Sequence, residues 1–278
     1  MSDFGIKSSS NKVNNKKNNK DNGIFQIIII IVISLLIGFT VYFLSSKVLG
    51  NNKNNSNNSS NNSSSISIDD NLVDELYSYV SRKSNLKFIR EPNLLVDNFT
   101  NKEKYYYALQ FVEAKDLEVD SKEDNSYILS SDKVKEYMTK FFGSGVTYSK
   151  NITMDYDFDF YVSTYNIANV SYNQNKNNYS VVFSGNSLDN GVNYHKELVK
   201  ASKGADGSII LIENVLFTSV SDNGLVNIYK DYDKTMLIAS VDYDSFDADK
   251  YLDKGSTITY TFKNDNGNYY FYSSKISY

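Results

Sequence analysis

The 278-residue chain has no cysteine and no tryptophan, one histidine and one proline. Without cysteine it lacks the thiol nucleophile of cysteine peptidases and transpeptidases, and it lacks a residue for thioether or thioester lipidation. Because His195 is the sole histidine, one chain cannot supply the two or three imidazoles of most catalytic zinc sites. The sequence therefore predicts no metal site, no cofactor and no catalytic residues.

The most prominent feature that is present is a long apolar run. Residues 24–44 carry no charge, and the seven residues at 27–33 are all Ile or Val. At about 1.5 Å per residue, a helix of this length crosses a hydrocarbon core of about 30 Å. The run is longer than the apolar core of a signal peptide, and no small-residue cleavage site follows it. We predict an uncleaved transmembrane helix over 24–46, with the lipid bilayer as its partner.

Charge and composition beside this helix predict its orientation. The tail 1–23 has five lysines against two aspartates, and basic residues stay on the cytoplasmic side of a membrane. The N-terminus is therefore expected in the cytoplasm, and the residues after the helix outside the cell membrane. The tail and the linker 47–66 are both rich in Asn and Ser and poor in apolar residues, so we predict that both are disordered.

Residues 67–278 are predicted to form one extracytoplasmic domain, helical over 67–145 and β-rich over 146–278. Seven of the 29 basic residues and two of the 33 acidic residues precede this domain, so it carries 22 basic against 31 acidic residues, a net charge of about −9. Such an acidic surface repels the phosphate backbone of nucleic acids. We expect a protein or another ligand of the cell envelope as the partner, and no nucleic acid.

The helical part shows start and stop signals. Asp70 is suited to cap a helix whose apolar residues recur at helical spacing over 72–80. Thr100-Asn101-Lys102-Glu103 is a capping box. A third helix is expected to begin near Ser131 and to end at Gly143. We therefore predict about three helices.

The β-rich part consists of alternating runs separated by glycine turns at 191, 207, 224 and 267. The predicted strands cover 169–172, 179–183, 194–201, 208–220, 225–229, 235–241, 257–263 and 269–276. We expect them to form a curved antiparallel sheet. In the longest run, Glu213-Asn214 interrupts the apolar residues, and we interpret this as a β-bulge.

The order of these parts is typical of two known groups of proteins. The anchor, the linker and the closing hairpin (Thr257-Ile258-Thr259-Tyr260-Thr261-Phe262 with Tyr269-Tyr270-Phe271-Tyr272) resemble uncharacterised single-pass surface proteins of low-GC Gram-positive bacteria. Helices followed by bulged strands are also similar to the nuclear transport factor 2-like and cystatin-like folds. Helices first and long antiparallel strands after them predict an α+β domain, and neither resemblance implies an activity.

Two elements of penicillin-binding enzymes occur in part. Ser130-Ser131-Asp132-Lys133 matches S-x-x-K, and Ser221-Asp222-Asn223 matches S-D-N. The third element, K-T-G, fails at the glycine in Lys234-Thr235-Met236. We interpret both matches as chance, because Ser, Asp, Asn and Lys are abundant.

Other polar clusters are interpreted as solvent-facing. On a strand, the carboxylates of Asp155, Asp157 and Asp159 would share one face and the intervening aromatic residues the other. His195 would share a face with Glu197, without a nucleophile that a motif identifies. A further acidic cluster, predicted to be a solvated loop with helix-capping roles, consists of Asp242, Asp244, Asp247 and Asp249.

The sequence thus predicts a membrane-anchored binding or interaction domain that is not an enzyme and whose ligand is unidentified. The alternative is a cell-wall hydrolase that uses two carboxylates. Nothing in the sequence selects such a pair from the many Asp and Glu residues.

Overall fold

A computed structural model describes residues 64–82, 85–155, 169–182 and 193–278. The predicted tail, the predicted transmembrane helix and residues 47–63 of the predicted linker lie outside the described residues. The predicted turn at Gly191 also lies outside them.

The described residues contain four α-helices, which include the three predicted ones. They are α1 (Asn71–Val80), α2 (Lys87–Arg90), α3 (Asn101–Leu109) and α4 (Ser131–Phe142). The Asp70 carboxylate accepts a hydrogen bond from the Leu72 amide and caps α1. Thr100 and Glu103 form the expected capping box of α3. Gly143 ends α4 with a φ of 85°, so the local signals in the sequence specify these boundaries.

The described residues also contain thirteen strands. They are β1 (Ser64–Ile66), β2 (Asn93–Leu95), β3 (Leu117–Ser121), β4 (Ser126–Ser130), β5 (Thr153–Asp155), β6 (Asn169–Asn173), β7 (Asn178–Val182), β8 (Asn193–Lys203), β9 (Ile209–Val220), β10 (Leu225–Tyr229), β11 (Leu237–Asp242), β12 (Ser256–Asp265) and β13 (Asn268–Ser277). The eight predicted strands correspond to β6 through β13. The first five have three to five residues each, which is too short for a periodic pattern to identify them.

β9 is the central strand of an eight-stranded antiparallel sheet. One edge of β9 pairs with β8. Its other edge pairs with β12 over 209–215 and with β10 over 217–220. The sheet continues from β12 to β13 and β2, from β10 to β11, and from β8 to β1.

A second antiparallel sheet has the order β3-β4-β7-β6-β5. The α+β class is therefore confirmed, but the described residues form two sheets instead of the one curved sheet that was predicted. The reason is that β7 pairs with β4, about 50 residues earlier in the chain, and not with the strands that follow it. Periodicity identifies strands and does not identify their partners.

One hydrophobic core joins both sheets and the helices. At its centre the Phe88 ring of α2 lies within 5.1–6.3 Å of four other aromatic rings: Phe99, Tyr107, Tyr260 and Phe271. Such pairs add to the stability that burial of their area provides. Because Tyr260 and Phe271 are fully buried, the aromatic inner face of the β12–β13 hairpin is covered by helices and is not a ligand surface.

A smaller hydrophobic cluster lies on the opposite face of β9. It is formed by Leu216, Val226, Ile228 and Leu252. Side chains alternate along a strand, so Leu216 enters this cluster while its neighbours Val215 and Phe217 belong to the main core.

Two details differ from the sequence prediction. The bulge is not in β9 at Glu213-Asn214; the register shifts in the partner strand β8, between Leu198 and Lys200, so Val199 is the extra residue. The structured region also begins earlier than expected, because Ser64–Ile66 forms β1 and pairs with β8. The last three residues of the predicted linker therefore belong to the sheet.

Candidate functional site

A surface groove of about 400 Å³ lies at the C-terminal end of α4. We call it the hairpin groove, because one wall is the end of the β12–β13 hairpin. Its lining comprises Val96, Asp97, Lys104, Phe142, Gly143, Ser144, Gly145, Val146, Thr147, Asn264, Asp265, Tyr270 and Tyr272. The groove thus combines residues from four separate parts of the chain.

Gly143 lets the hairpin approach α4 closely. A Cβ atom added at Gly143 would lie 3.0 Å from three atoms of the Tyr270 ring, and its positive φ also disfavours other residues. Gly145 differs, because an added Cβ there would meet no atom within 4 Å. The first glycine is therefore required by packing, while the second leaves open space beside the groove.

Hydrogen bonds to α3 and to the hairpin hold the loop that follows α4, and two of them involve residues that line the groove. The Lys104 ammonium donates to the Thr147 carbonyl oxygen at 2.7 Å. The Ser144 amide donates to the Asp265 carboxylate at 3.3 Å. The loop is thus fixed at one end to α3 and at the other end to the hairpin.

The charges around the hairpin groove favour a ligand that donates hydrogen bonds. Two carboxylates, Asp97 and Asp265, line it against the single ammonium of Lys104, which already binds the Thr147 carbonyl. The C-terminal end of α4 adds partial negative charge. These carboxylates can accept hydrogen bonds from amino or hydroxyl groups of a ligand.

The most unusual side chain of the interior is Glu213, which is fully buried in β9. Its carboxylate accepts hydrogen bonds from the Tyr77 hydroxyl at 2.7 Å and from the Tyr260 hydroxyl at 2.6 Å. The Lys196 ammonium lies 3.9 Å from the same carboxylate and 5.7 Å from the ring centres of Tyr77 and Tyr194. We call these five residues the Glu213 cluster.

Burial dominates the electrostatics of the Glu213 cluster. It lowers the pKa of Lys196, while the neighbouring carboxylate acts in the opposite direction. The pKa values of Tyr260 and Tyr194 are raised by burial and by the charge of Glu213. The five residues connect α1, β8, β9 and β12. Because the Glu213 carboxylate is enclosed and hydrogen-bonded on both oxygens, it is not exposed to a substrate as an acid or base.

Sequence reasoning missed the role of Glu213. The sequence does contain an indication of this role. Side chains two residues apart on a strand share a face, so Glu213 faces the same side as Ile209, Leu211 and Val215, which is the buried side. An acidic residue there requires hydrogen-bond donors, because burial of an unpaired charge is costly.

The S-x-x-K match has a structural role. Ser130 caps α4 by accepting a hydrogen bond from the Lys133 amide. The Lys133 ammonium lies 3.1 Å from Asp116 and 2.9 Å from Glu136. The Tyr137 hydroxyl donates a hydrogen bond to the Asp116 carboxylate at 2.6 Å. This hydrogen bond holds the pKa of Asp116 below its usual value. Burial raises the pKa of Tyr137 to about 12. The lysine is thus bound to two carboxylates and not to a serine.

The S-D-N and K-T-M segments lie in two successive connections of the β9–β10–β11 meander. Ser221-Asp222-Asn223 forms the β9–β10 turn, and Lys234 has a φ of 58° in the loop between β10 and β11. This loop is held by Asp231, whose buried carboxylate accepts hydrogen bonds from the Thr235 and Met236 amides and from the Thr235 hydroxyl. Burial acts to raise the pKa of Asp231, but these hydrogen bonds outweigh it and lower the pKa.

His195, Glu197 and the two acidic clusters from the sequence analysis are not brought together within the described residues. The His195 ring packs edge-on to Phe246 at 5.5 Å, and Glu197 is exposed on the same strand. Asp155 ends β5, while residues 157 and 159 lie outside the described residues. In the second acidic cluster, Asp247 caps a short turn and pairs with Lys250, which agrees with the predicted capping role.

Within the described ranges, no group of three or more His, Cys, Asp or Glu side chains is arranged to hold a metal ion. The same ranges contain no helix that is long and apolar enough to cross a membrane. No family model, no curated protein and no solved structure matches this chain.

Proposed function

We propose that the chain is a membrane-anchored extracytoplasmic binding domain whose ligand site is the hairpin groove. The observation that carries the proposal is the groove itself: a polar concavity of about 400 Å³ whose loop is fixed by Lys104 and Asp265. Ligand sites are usually preformed concavities with a few convergent polar groups. Its acceptor-rich lining favours an envelope protein or another ligand that presents amino or hydroxyl groups, and the acidic domain disfavours nucleic acid.

The membrane anchor is part of this proposal and is supported by sequence. The uncharged run 24–44 is long enough to span a bilayer, and the lysine-rich tail favours a cytoplasmic N-terminus. Residues 47–63 then form a linker of about 17 residues, with an end-to-end distance on the order of 20–25 Å. This arrangement holds the domain close to the outer surface of the membrane.

The absence of cysteine makes the orientation easy to test. Ser8→Cys and Val119→Cys each introduce one thiol into an otherwise thiol-free chain. In intact cells, a membrane-impermeant maleimide should label Val119→Cys and should label Ser8→Cys only after lysis. Labelling of both variants before lysis, or recovery of the chain in the soluble fraction, would refute the anchored arrangement.

The binding role is tested by filling the hairpin groove. The full chain, extracted in mild detergent, is used to capture envelope components, and two variants at one position are compared. Gly145→Trp should abolish capture because it fills the open space, whereas Gly145→Ala should retain it. The groove is not the site if both variants capture the same components as the wild type, or if the wild type captures none above background.

The hydrolase alternative remains a prediction without a specific structural observation in its favour. It requires two carboxyl groups about 5 Å or about 6.5–9.5 Å apart in an open cleft. Incubation of the full chain with peptidoglycan, and a search for released fragments that Asp97→Asn abolishes, would detect it.

A further inference from the structure

The outer edge of β11 is unpaired in the part of the chain that the structure describes. β11 pairs with β10 and is at the end of its branch of the eight-stranded sheet. Residues 237–241 contain no charge and no proline, and the strand ends at Asp242. Edge strands of natural proteins usually carry charges or proline to prevent pairing with another chain, so the five residues before Asp242 leave this edge open to a further strand.

Exposed apolar side chains lie at both ends of this edge. Met236 and Leu237, at its beginning, are 37% and 58% exposed, and Tyr243, directly after its end, is 64% exposed. Large apolar side chains grouped along an unpaired edge are typical of an interaction surface. The backbone edge and these side chains together offer hydrogen bonds and apolar contacts to one added strand.

We propose that β11 pairs antiparallel with β11 of a second copy of this chain, so that the sheet continues across a twofold axis near Ser240. A twofold interface uses the same patch on both subunits. Antiparallel pairing brings Leu237 of one copy beside Tyr243 of the other. The twofold axis repeats this contact at the opposite end of the joined strands.

The distribution of charge supports this orientation. Residues 242–250, from the last residue of β11 onward, carry four aspartates and one lysine, whereas residues 230–236, before the strand, carry two lysines and two aspartates. Antiparallel pairing places the acidic segment of each copy beside the near-neutral loop of the other, where Lys234 is exposed. A parallel arrangement would place the two acidic segments side by side, and like charges repel.

The size of the edge indicates a weak dimer in dilute solution. Two paired strands of six residues bury less than the roughly 1,200–2,000 Å² of stable interfaces. Anchoring in one membrane raises the effective concentration of the copies. The strength of the dimer therefore rests on the proposed anchor, whereas the choice of β11 as the contact does not.

The test uses the natural absence of cysteine. In antiparallel strands, opposed Cα atoms are about 4.5–5.5 Å apart, which is within the range of a disulfide. Full-length Ser240→Cys, expressed in cells and oxidised in isolated membranes, should form a disulfide-linked dimer on a non-reducing gel. The matched control is Val119→Cys. Val119 is exposed on β3, an edge strand of the other sheet, and this variant should form at least several-fold less disulfide-linked dimer than Ser240→Cys.

A second variant separates edge pairing from random collision. Adding Leu237→Glu to Ser240→Cys should reduce the cross-linked fraction several-fold, because it places a carboxylate of each copy beside the acidic segment of the other, and it should leave the melting temperature unchanged. The proposal is overturned if Ser240→Cys cross-links no more than Val119→Cys in the same membranes, or if Leu237→Glu has no effect. Membrane fractionation of the same cells reports on the anchor separately.

Discussion

The hydroxyl of Tyr77 donates a 2.7 Å hydrogen bond to the carboxylate of Glu213, 136 positions later in the chain. This contact ties α1 to the centre of β9. Glu213 is fully buried and its second oxygen is bound by Tyr260. Because α1 follows β1 directly, the contact also fixes the part of the domain where the chain enters it.

Removal of the Tyr77 hydroxyl should therefore be costly. Tyr77→Phe keeps the ring but leaves a buried carboxylate oxygen with only the Lys196 ammonium, 3.9 Å away. We expect a loss of about 1.5–3 kcal/mol in the free energy of unfolding. Urea denaturation measures it. Tyr79→Phe is the matched control on the same helix, since its hydroxyl binds Glu75, whose side chain is half exposed, and this loss should be below about 1 kcal/mol. Equal losses would mean that the Glu213 contact adds nothing specific.

The two glycines of the hairpin groove should respond differently to alanine. Gly143→Ala places a methyl group against the Tyr270 ring. Its φ of 85° and ψ of 167° lie in a region that essentially only glycine occupies, and the backbone strain alone costs about 1–3 kcal/mol. Gly145→Ala meets open space and should leave the melting temperature within about 1–2 °C of the wild type. Thermal unfolding of both variants checks this, and a stable Gly143→Ala would contradict the close packing of the hairpin on α4.

Asp231 should make stability depend on acid pH. Its folded pKa is lowered, so its contribution is complete above the unfolded value of about 3.9 and is lost as the pH falls through the folded pKa. Asp231→Asn keeps one acceptor oxygen and should cost about 1–2 kcal/mol at pH 7. Urea denaturation at pH 7 and at pH 2–3 should show the gap between wild type and variant shrinking at acid pH. A gap that is independent of pH would contradict the role of the carboxylate charge.

The boundary of the folded domain can be located by truncation. Ser64–Ile66 pairs with β8 and Ile66 contacts the main core. A chain that starts at residue 67 should therefore melt several degrees below one that starts at residue 64, since about 1 kcal/mol corresponds to about 2–4 °C in a domain of this size. If the two chains melt at the same temperature, β1 contributes nothing to the domain.

The features that the sequence predicted well are local. The cap at Asp70, the capping box at Thr100 and Glu103 and the stop at Gly143 depend on hydrogen bonds within one helical turn. Likewise the tight turn at Asn266 and Gly267, both with positive φ, follows from residues that tolerate this conformation. In each case one short segment contains the whole physical cause.

The features that the sequence did not predict are set by distant residues. The division into two sheets depends on β4 pairing with β7, and the bulge occurs at Val199 of β8 and not at Glu213 of β9. The partners of Glu213 come from α1, β8 and β12, so no window of sequence around it contains them. The hairpin groove likewise requires Lys104 and Tyr270 to line one concavity at the end of α4, although Gly143 was predicted as the end of that helix.

The double pairing of β9 has a consequence for unfolding. Its side chains alternate between the main core and the smaller cluster, and its two edges carry β8 on one side and both β12 and β10 on the other. Displacement of β9 therefore disrupts both hydrophobic clusters at once. The amides of β9 should therefore exchange with solvent only through global unfolding, and the two branches of the sheet should be lost in a single cooperative transition.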